Sequence, residues 1–265
     1  MKKFFKKVFY VILVTLIYFS SMPLLASDVG LTVGLEYAGK SMWRGISIYE
    51  KEGAFFPSIS YDVFDTGLSI GIVGEIVDEY VLDLKATREL RDLNYTDFFV
   101  DYSNKFGLVT LGVGAVYYRA WNNDYSYSTG TISLTFEDIF LSPTLIYNHD
   151  YYFDSNLDNQ AKDFYIQFGI SHSFDLIQDA VSLDLGAIAG YYSSSLDNDN
   201  KTSGISDIDL SVGLTVANGI VEYFAGFHYI IVPSKDYYYS LDFYGGGLKK
   251  DRSRFYSAFG VSCSF

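Results

Sequence analysis

The sequence predicts an all-β fold: a transmembrane, antiparallel, up-and-down β-barrel of about twelve strands, with ten or fourteen as the alternatives. Three observations predict it. Many segments alternate apolar and polar residues with a period of two, which gives a strand one greasy face and one wetter face. The connections between them alternate long and short along the chain. The chain closes on "RSRFYSAFGVSCSF", an alternating strand whose last residue is the bare aromatic Phe265.

Twelve segments carry the pattern: 29–48, 54–63, 67–77, 95–104, 108–119, 127–137, 141–152, 162–174, 180–192, 206–217, 220–233 and 253–265. In 162–174, Phe164, Ile166, Phe168, Ile170, His172 and Phe174 share one face, and Tyr165, Gln167, Gly169, Ser171 and Ser173 share the other. In 206–217, Ile208, Leu210, Val212, Leu214 and Val216 oppose Asp207, Asp209, Ser211, Gly213 and Thr215. Most of these segments are long enough to meet the roughly 9–11 residues of a membrane-crossing strand, whereas ordinary globular strands average about 5–6. The 25 Tyr and 22 Phe suit strands, and Tyr also suits a membrane–water interface. A soluble β-sandwich also alternates, but it predicts shorter strands and no loop asymmetry.

The short connections read "FDTG", "KFG", "EDIF", "DLIQDA" and "NG". The long ones are "YEKEG", 78–94, "AWNNDYSY", "DSNLDNQ", "SSSLDNDNKTSG" and 234–252. Short turns on one side and long polar loops on the other are the pattern of bacterial outer-membrane barrels. An even strand number places both termini in the periplasm. A barrel has no free edge, so the last strand must pair with the first.

The opening segment, "MKKFFKKVFYVILVTLIYFSSMPLLAS", has lysines, then an apolar run, then small residues, the layout of a secretory signal peptide over 1–27. The barrel domain is then 28–265. Loss of Lys2, Lys3, Lys6 and Lys7 takes the formal net charge from −13 to −17. So acidic a chain is not built for nucleic acid, whose phosphates are held by Lys and Arg. A single cysteine excludes an internal disulfide framework.

The chemistry of the face opposite the greasy one is informative. Parity points Glu36, Asp62, Glu75, Asp97, Asp101, Asp184, Asp207, Asp209 and Glu222 inward, with Lys40, Arg44 and Arg254 as the bases and His228 among them. Acids on the lipid face would be costly, so physics requires the same assignment. These residues, Lys40 apart, are the expected pore lining. Loops 78–94 and 234–252, rich in Lys and Arg, read either as solvated surface or as a constriction folded inward.

Nothing points to catalysis. His149 and His172 have their nearest acid or hydroxyl neighbours on the opposite face, and His228 has no Ser nearby in sequence. Asp197 and Asp199 alternate as calcium ligands do, but the EF-hand positions six and twelve hold Thr202 and Ile208. No enzyme, metal or cofactor is therefore expected.

The stretch "VGLEYAGKSMWRGISI", with Trp43-Arg44-Gly45-Ile46-Ser47, resembles the first hairpin of TorF-type porins, a family of uncharacterised Gram-negative outer-membrane β-barrels. "LSPTLIYNHDY" and "ISHSF" are similar to stretches of related barrels, so the resemblance runs from Val33 to about Tyr192. The chain departs from the family at Ser41-Met42, where an acid–Tyr pair is common. The resemblance implies a porin, and the closing aromatic strand resembles the signal read by the barrel-assembly machinery.

The expected function is passive diffusion of small hydrophilic solutes through an acidic lumen, in contact with outer-membrane lipid and lipopolysaccharide. The alternatives are a closed barrel that works through its loops and, behind it, an outer-membrane hydrolase.

Overall fold

A computed structural model describes residues 29–40, 42–44, 46–47, 53–64, 66–77, 95–120, 126–152, 163–194, 202–233 and 253–265. The expected signal peptide and the loops 78–94 and 234–252 lie outside these residues. The strands are β1 (Leu31–Ala38), β2 (Met42–Trp43), β3 (Ile46–Ser47), β4 (Ala54–Asp62), β5 (Leu68–Val77), β6 (Tyr95–Phe106) and β7 (Val109–Ala120). They continue as β8 (Ser126–Phe136), β9 (Thr144–Tyr152), β10 (Asp163–Ile177), β11 (Val181–Ser194), β12 (Thr202–Asn218), β13 (Val221–Ile231) and β14 (Ser253–Ser264). Among the described residues, β1 and β4–β14 form one closed antiparallel barrel, and β2 pairs only with β3.

Closure occurs between the ends of the chain. β14 pairs with β1 from Thr32↔Ser264 to Ala38↔Ala258. Leu31 and Phe265 exchange both backbone hydrogen bonds, at 3.1 and 2.8 Å. The terminal aromatic strand is thus the seam of the barrel, and no edge is left open there.

Parity sorts the two surfaces. Val33, Ile59, Ile70, Ile72, Phe98, Val100, Val113, Ile132, Phe168, Leu210, Val212, Phe227, Phe255 and Phe259 are large, apolar and exposed. The register sets such residues side by side across neighbouring strands, as in Ile59↔Ile72, Leu210↔Tyr229 and Tyr229↔Phe255. A continuous apolar belt on the outside is stable only against hydrocarbon, where a closed ladder pairs backbone groups that water cannot reach. His172 joins this outer face near the short-turn end, against Phe140 at 4.6 Å and Phe174 at 4.4 Å.

Two turns at the end where β1 begins and β14 finishes are tight. Gly107 and Gly219 open two-residue loops at φ 66° and 62°, the left-handed conformation that such a hairpin requires at its first position. The turn before β9 is longer than the alternation predicts, and the strand starts at Thr144 rather than residue 141. Pro143 has no N–H to give to a ladder, so pairing cannot extend through it. Its neighbours Leu141 and Ser142 are left-handed instead. Lys105 bridges Glu137 at 2.8 Å and Asp138 at 3.0 Å across this end. The Lys105 bond, and then one from Thr110, hold the Glu137 carboxyl below its ordinary pKa.

The first strand is also shorter than expected. It leaves the wall after Ala38 instead of running to residue 48. Trp43↔Ile46 and Met42↔Ser47 pair as a separate small hairpin, with Arg44 in its turn at φ 49°. This hairpin belongs to the long-loop end.

Candidate functional site: the lumen and its inward hairpin

The candidate site is built from the inward parity of the strands. Glu36, Glu75, Asp97, Asp101, Asp184, Asp207, Asp209, Glu222, His228 and Arg254 all carry that parity, and Asp62 carries it at the last residue of β4. Arg44 approaches from the hairpin rather than from the wall. Lys40 follows the end of β1, off the ladder.

Met42 and Arg44 line a cavity of about 270 Å³ together with Tyr118, Thr129, Asn148, Tyr165, Gln167, Ile188, Asp207, Asp209, Ile230 and Tyr256. Those partners come from β7 through β14, so the hairpin reaches into the barrel mouth. A second cavity, of about 360 Å³, lies along the β10–β14 wall and is lined by Ser171, Asp184, Ser211, Glu222, Phe224 and His228, among others.

Arg44 makes the central contact. Its two terminal nitrogens donate to the two Asp150 oxygens at 2.5 and 2.8 Å. Such a fork-on-carboxylate pair fixes orientation as well as distance. Thr129 donates a further hydrogen bond to Asp150 at 2.7 Å. The Asp150 side chain is 0 % exposed and that of Arg44 is 6 % exposed. The guanidinium also sits 4.9 Å from the Tyr165 ring centre and 5.4 Å from that of Tyr192, within cation–π range.

The tyrosines are themselves fixed. Tyr165 and Tyr192 are register partners on β10 and β11. The Tyr165 hydroxyl donates to Asp207, lying 3.0 Å from both oxygens, and the Tyr192 hydroxyl donates to Asp163 at 2.8 Å. Ser206 donates to Asp207 at 2.5 Å. Ser206 is the extra residue of a bulge, because Gly190 pairs with Asp207 and Tyr191 with Ile205. Opposite the bulge, Gly190 leaves room for the Tyr165–Asp207 bond: a Cβ there would collide with both groups. Gly190→Ala is therefore expected to force Tyr165 off Asp207 and to cost about 1.5–3 kcal/mol, the range for a lost hydrogen bond to a charged group. Urea unfolding of the reconstituted barrel reads this shift.

Two other acids have their own partners. Asp184 accepts from Ser173 at 2.6 Å, Thr215 at 2.8 Å and Ser182 at 3.2 Å. Asp209 meets His228 Nδ1 at 3.1 Å, and the His228 ring stacks on Tyr256 at 4.6 Å. Asp62, Glu75 and Asp101 lie on β4–β6, and Asp97 on β6 pairs in register with Tyr118 of the cavity lining. Asp97 Oδ1 and Arg254 Nε are buried with no hydrogen-bond partner among the described residues.

Sequence reasoning passed over Asp150, Asp163, Tyr118, Tyr165, Tyr192 and Tyr256 as site residues. Parity was signal enough for Asp150, because His149 beside it faces outward. The Asp209–His228 contact crosses strands, and nothing in the local sequence announces it.

No protein-family model matches the chain, and no curated protein matches it in sequence. Solved structures match it in fold. The chain shares its barrel fold with the KdgM porin. The two superpose with a TM-score of 0.52 at 11 % identity, over 88 % of this chain and 99 % of that one. The COG4313 outer membrane channel from Pseudomonas putida F1 gives a TM-score of 0.46 at 10 % identity, over 92 % of this chain and 99 % of that one. At 11 % identity the likeness to the KdgM porin is one of fold.

Proposed function

We propose that this chain is an outer-membrane channel through which small hydrophilic solutes diffuse passively, with a lumen that favours cations and neutral polar molecules. The observation that carries this reading is the charge imbalance of the inward face. Glu36, Asp62, Glu75, Asp97, Asp101, Asp184, Asp207, Asp209 and Glu222 stand there beside few bases, of which Arg44 is already paired with Asp150. Carboxylates in such excess cannot neutralise one another in a dry interior, so they call for water and mobile cations. A wet lumen also supplies the kind of partner that Asp97 Oδ1 and Arg254 Nε call for. The KdgM porin fold and the resemblance of the Trp43–Ser47 stretch to TorF-type porins agree with a channel. The barrel stands in the outer membrane with both termini and the tight turns in the periplasm and the long loops outside.

Twelve strands enclose less than the sixteen of a general porin, and the hairpin narrows the mouth further. Liposomes carrying the refolded chain are expected to swell in arabinose and glucose and to lose the response with larger oligosaccharides. Folded, inserted barrels that admit none of these sugars would leave a closed barrel that works through its loops. The hydrolase reading gains nothing from the Asp209–His228 pair, because no hydroxyl is bonded to His228 among the described residues.

A further inference from the structure

The contacts of Arg44 describe a receptor as well as a tether. Asp150 faces the guanidinium end-on with both oxygens, at 2.5 and 2.8 Å. Tyr165 and Tyr192 supply two ring faces, at 4.9 and 5.4 Å. All three belong to the wall, on β9, β10 and β11, whereas their occupant arrives on a separate hairpin. Each wall group also has a partner other than Arg44: Thr129 for Asp150, Asp207 for the Tyr165 hydroxyl, and Asp163 for that of Tyr192. A hydroxyl that donates to a carboxylate also enriches its ring in electron density, which strengthens the pull of the ring face on a cation.

We infer that the Asp150–Tyr165–Tyr192 cage is a binding site for a solute guanidinium group, and that Arg44 occupies it as a tethered competitor. This inference rests on the reading of the lumen as open to solute. The cage adjoins the 270 Å³ cavity, which Arg44 and Tyr165 line with the further carboxylates Asp207 and Asp209. A small dication bearing a guanidinium and an ammonium fits that arrangement, with the planar fork on Asp150 and the second charge toward Asp207 and Asp209. A lone ammonium matches the cage less well, because it is a point charge without the two-pronged geometry. Arg44 sits on a short hairpin, so its effective concentration at the cage is on the order of millimolar or above, and a free solute must outcompete it.

Argininamide, which carries two positive charges and no carboxylate, is the probe. It is titrated calorimetrically into the full-length mature barrel in detergent, as wild type, as Arg44→Ala, and as Arg44→Ala with Asp150→Asn. Heat-modifiable gel migration confirms that each barrel is folded, and Arg44→Lys substitutes for Arg44→Ala should the latter not fold, since its ammonium holds the cage more weakly. The expected result is binding to the single variant at least about tenfold tighter than to wild type, with a loss of about tenfold or more in the double variant. Lysinamide should bind the single variant more weakly than argininamide. Equal binding by wild type and Arg44→Ala, or undiminished binding by the double variant, would overturn the inference. The readout is heat, so the result stands whether or not the barrel conducts.

Discussion

Val212→Arg is expected to destabilise the membrane-inserted barrel by about 2–4 kcal/mol, the cost of a basic side chain on the lipid face near the bilayer midplane. Val212 is 41 % exposed on the outer surface and stands between Leu185 on β11 and Phe227 on β13. The residue before it has the opposite orientation: Ser211 pairs with Gly186 and His228 on the inward face. Ser211→Arg should therefore leave stability within about 1 kcal/mol, because the new cation meets a polar wall that already holds Asp184 and Glu222. The two variants add the same charge one residue apart, so equal costs would contradict the register of β12. Urea titration of the barrel in lipid vesicles reads both.

Asp150→Asn is expected to free the hairpin. The substitution keeps the shape of the side chain but removes the charge and one of the two acceptors of the Arg44 fork. Hydrogen bonds to a charged partner contribute about 1.5–3 kcal/mol, so the detached fraction should rise by about tenfold or more. Trypsin reads this directly, because it cleaves after Arg44. In the wild type the Arg44 side chain is 6 % exposed and held on Asp150, so cleavage should be slow. In Asp150→Asn it should speed up about tenfold, with a single new end at Gly45 found by mass spectrometry. A rate equal to that of wild type would mean that Asp150 does not retain the hairpin.

The wall of the barrel was legible in the sequence because parity is fixed by covalent geometry. Once a segment is known to be a strand, Leu210 and Asp209 must face opposite ways, and lipid decides which way each faces. The seam was legible for a related reason, since a closed sheet must pair its last strand with its first. The hairpin was not. "KSMWRGISI" continues the alternation of β1 closely enough to pass for strand. Nor was the cage legible, because Arg44 and Asp150 are 106 residues apart and only the tertiary fold brings them together. The bulge at Ser206 lay hidden too, since one extra residue leaves the apolar pattern of β12 intact on its longer side.

Single-channel recording of the refolded mature chain in a planar bilayer, under a tenfold potassium chloride gradient, tests the central claim most directly. Discrete current steps are predicted, with a reversal potential displaced toward that of potassium because the inward carboxylates draw cations into the lumen. Replacing Asp184, Asp207 and Asp209 together by Asn should move that potential back toward zero. Folded barrels that insert and carry no current, or a reversal potential on the chloride side, would contradict the account.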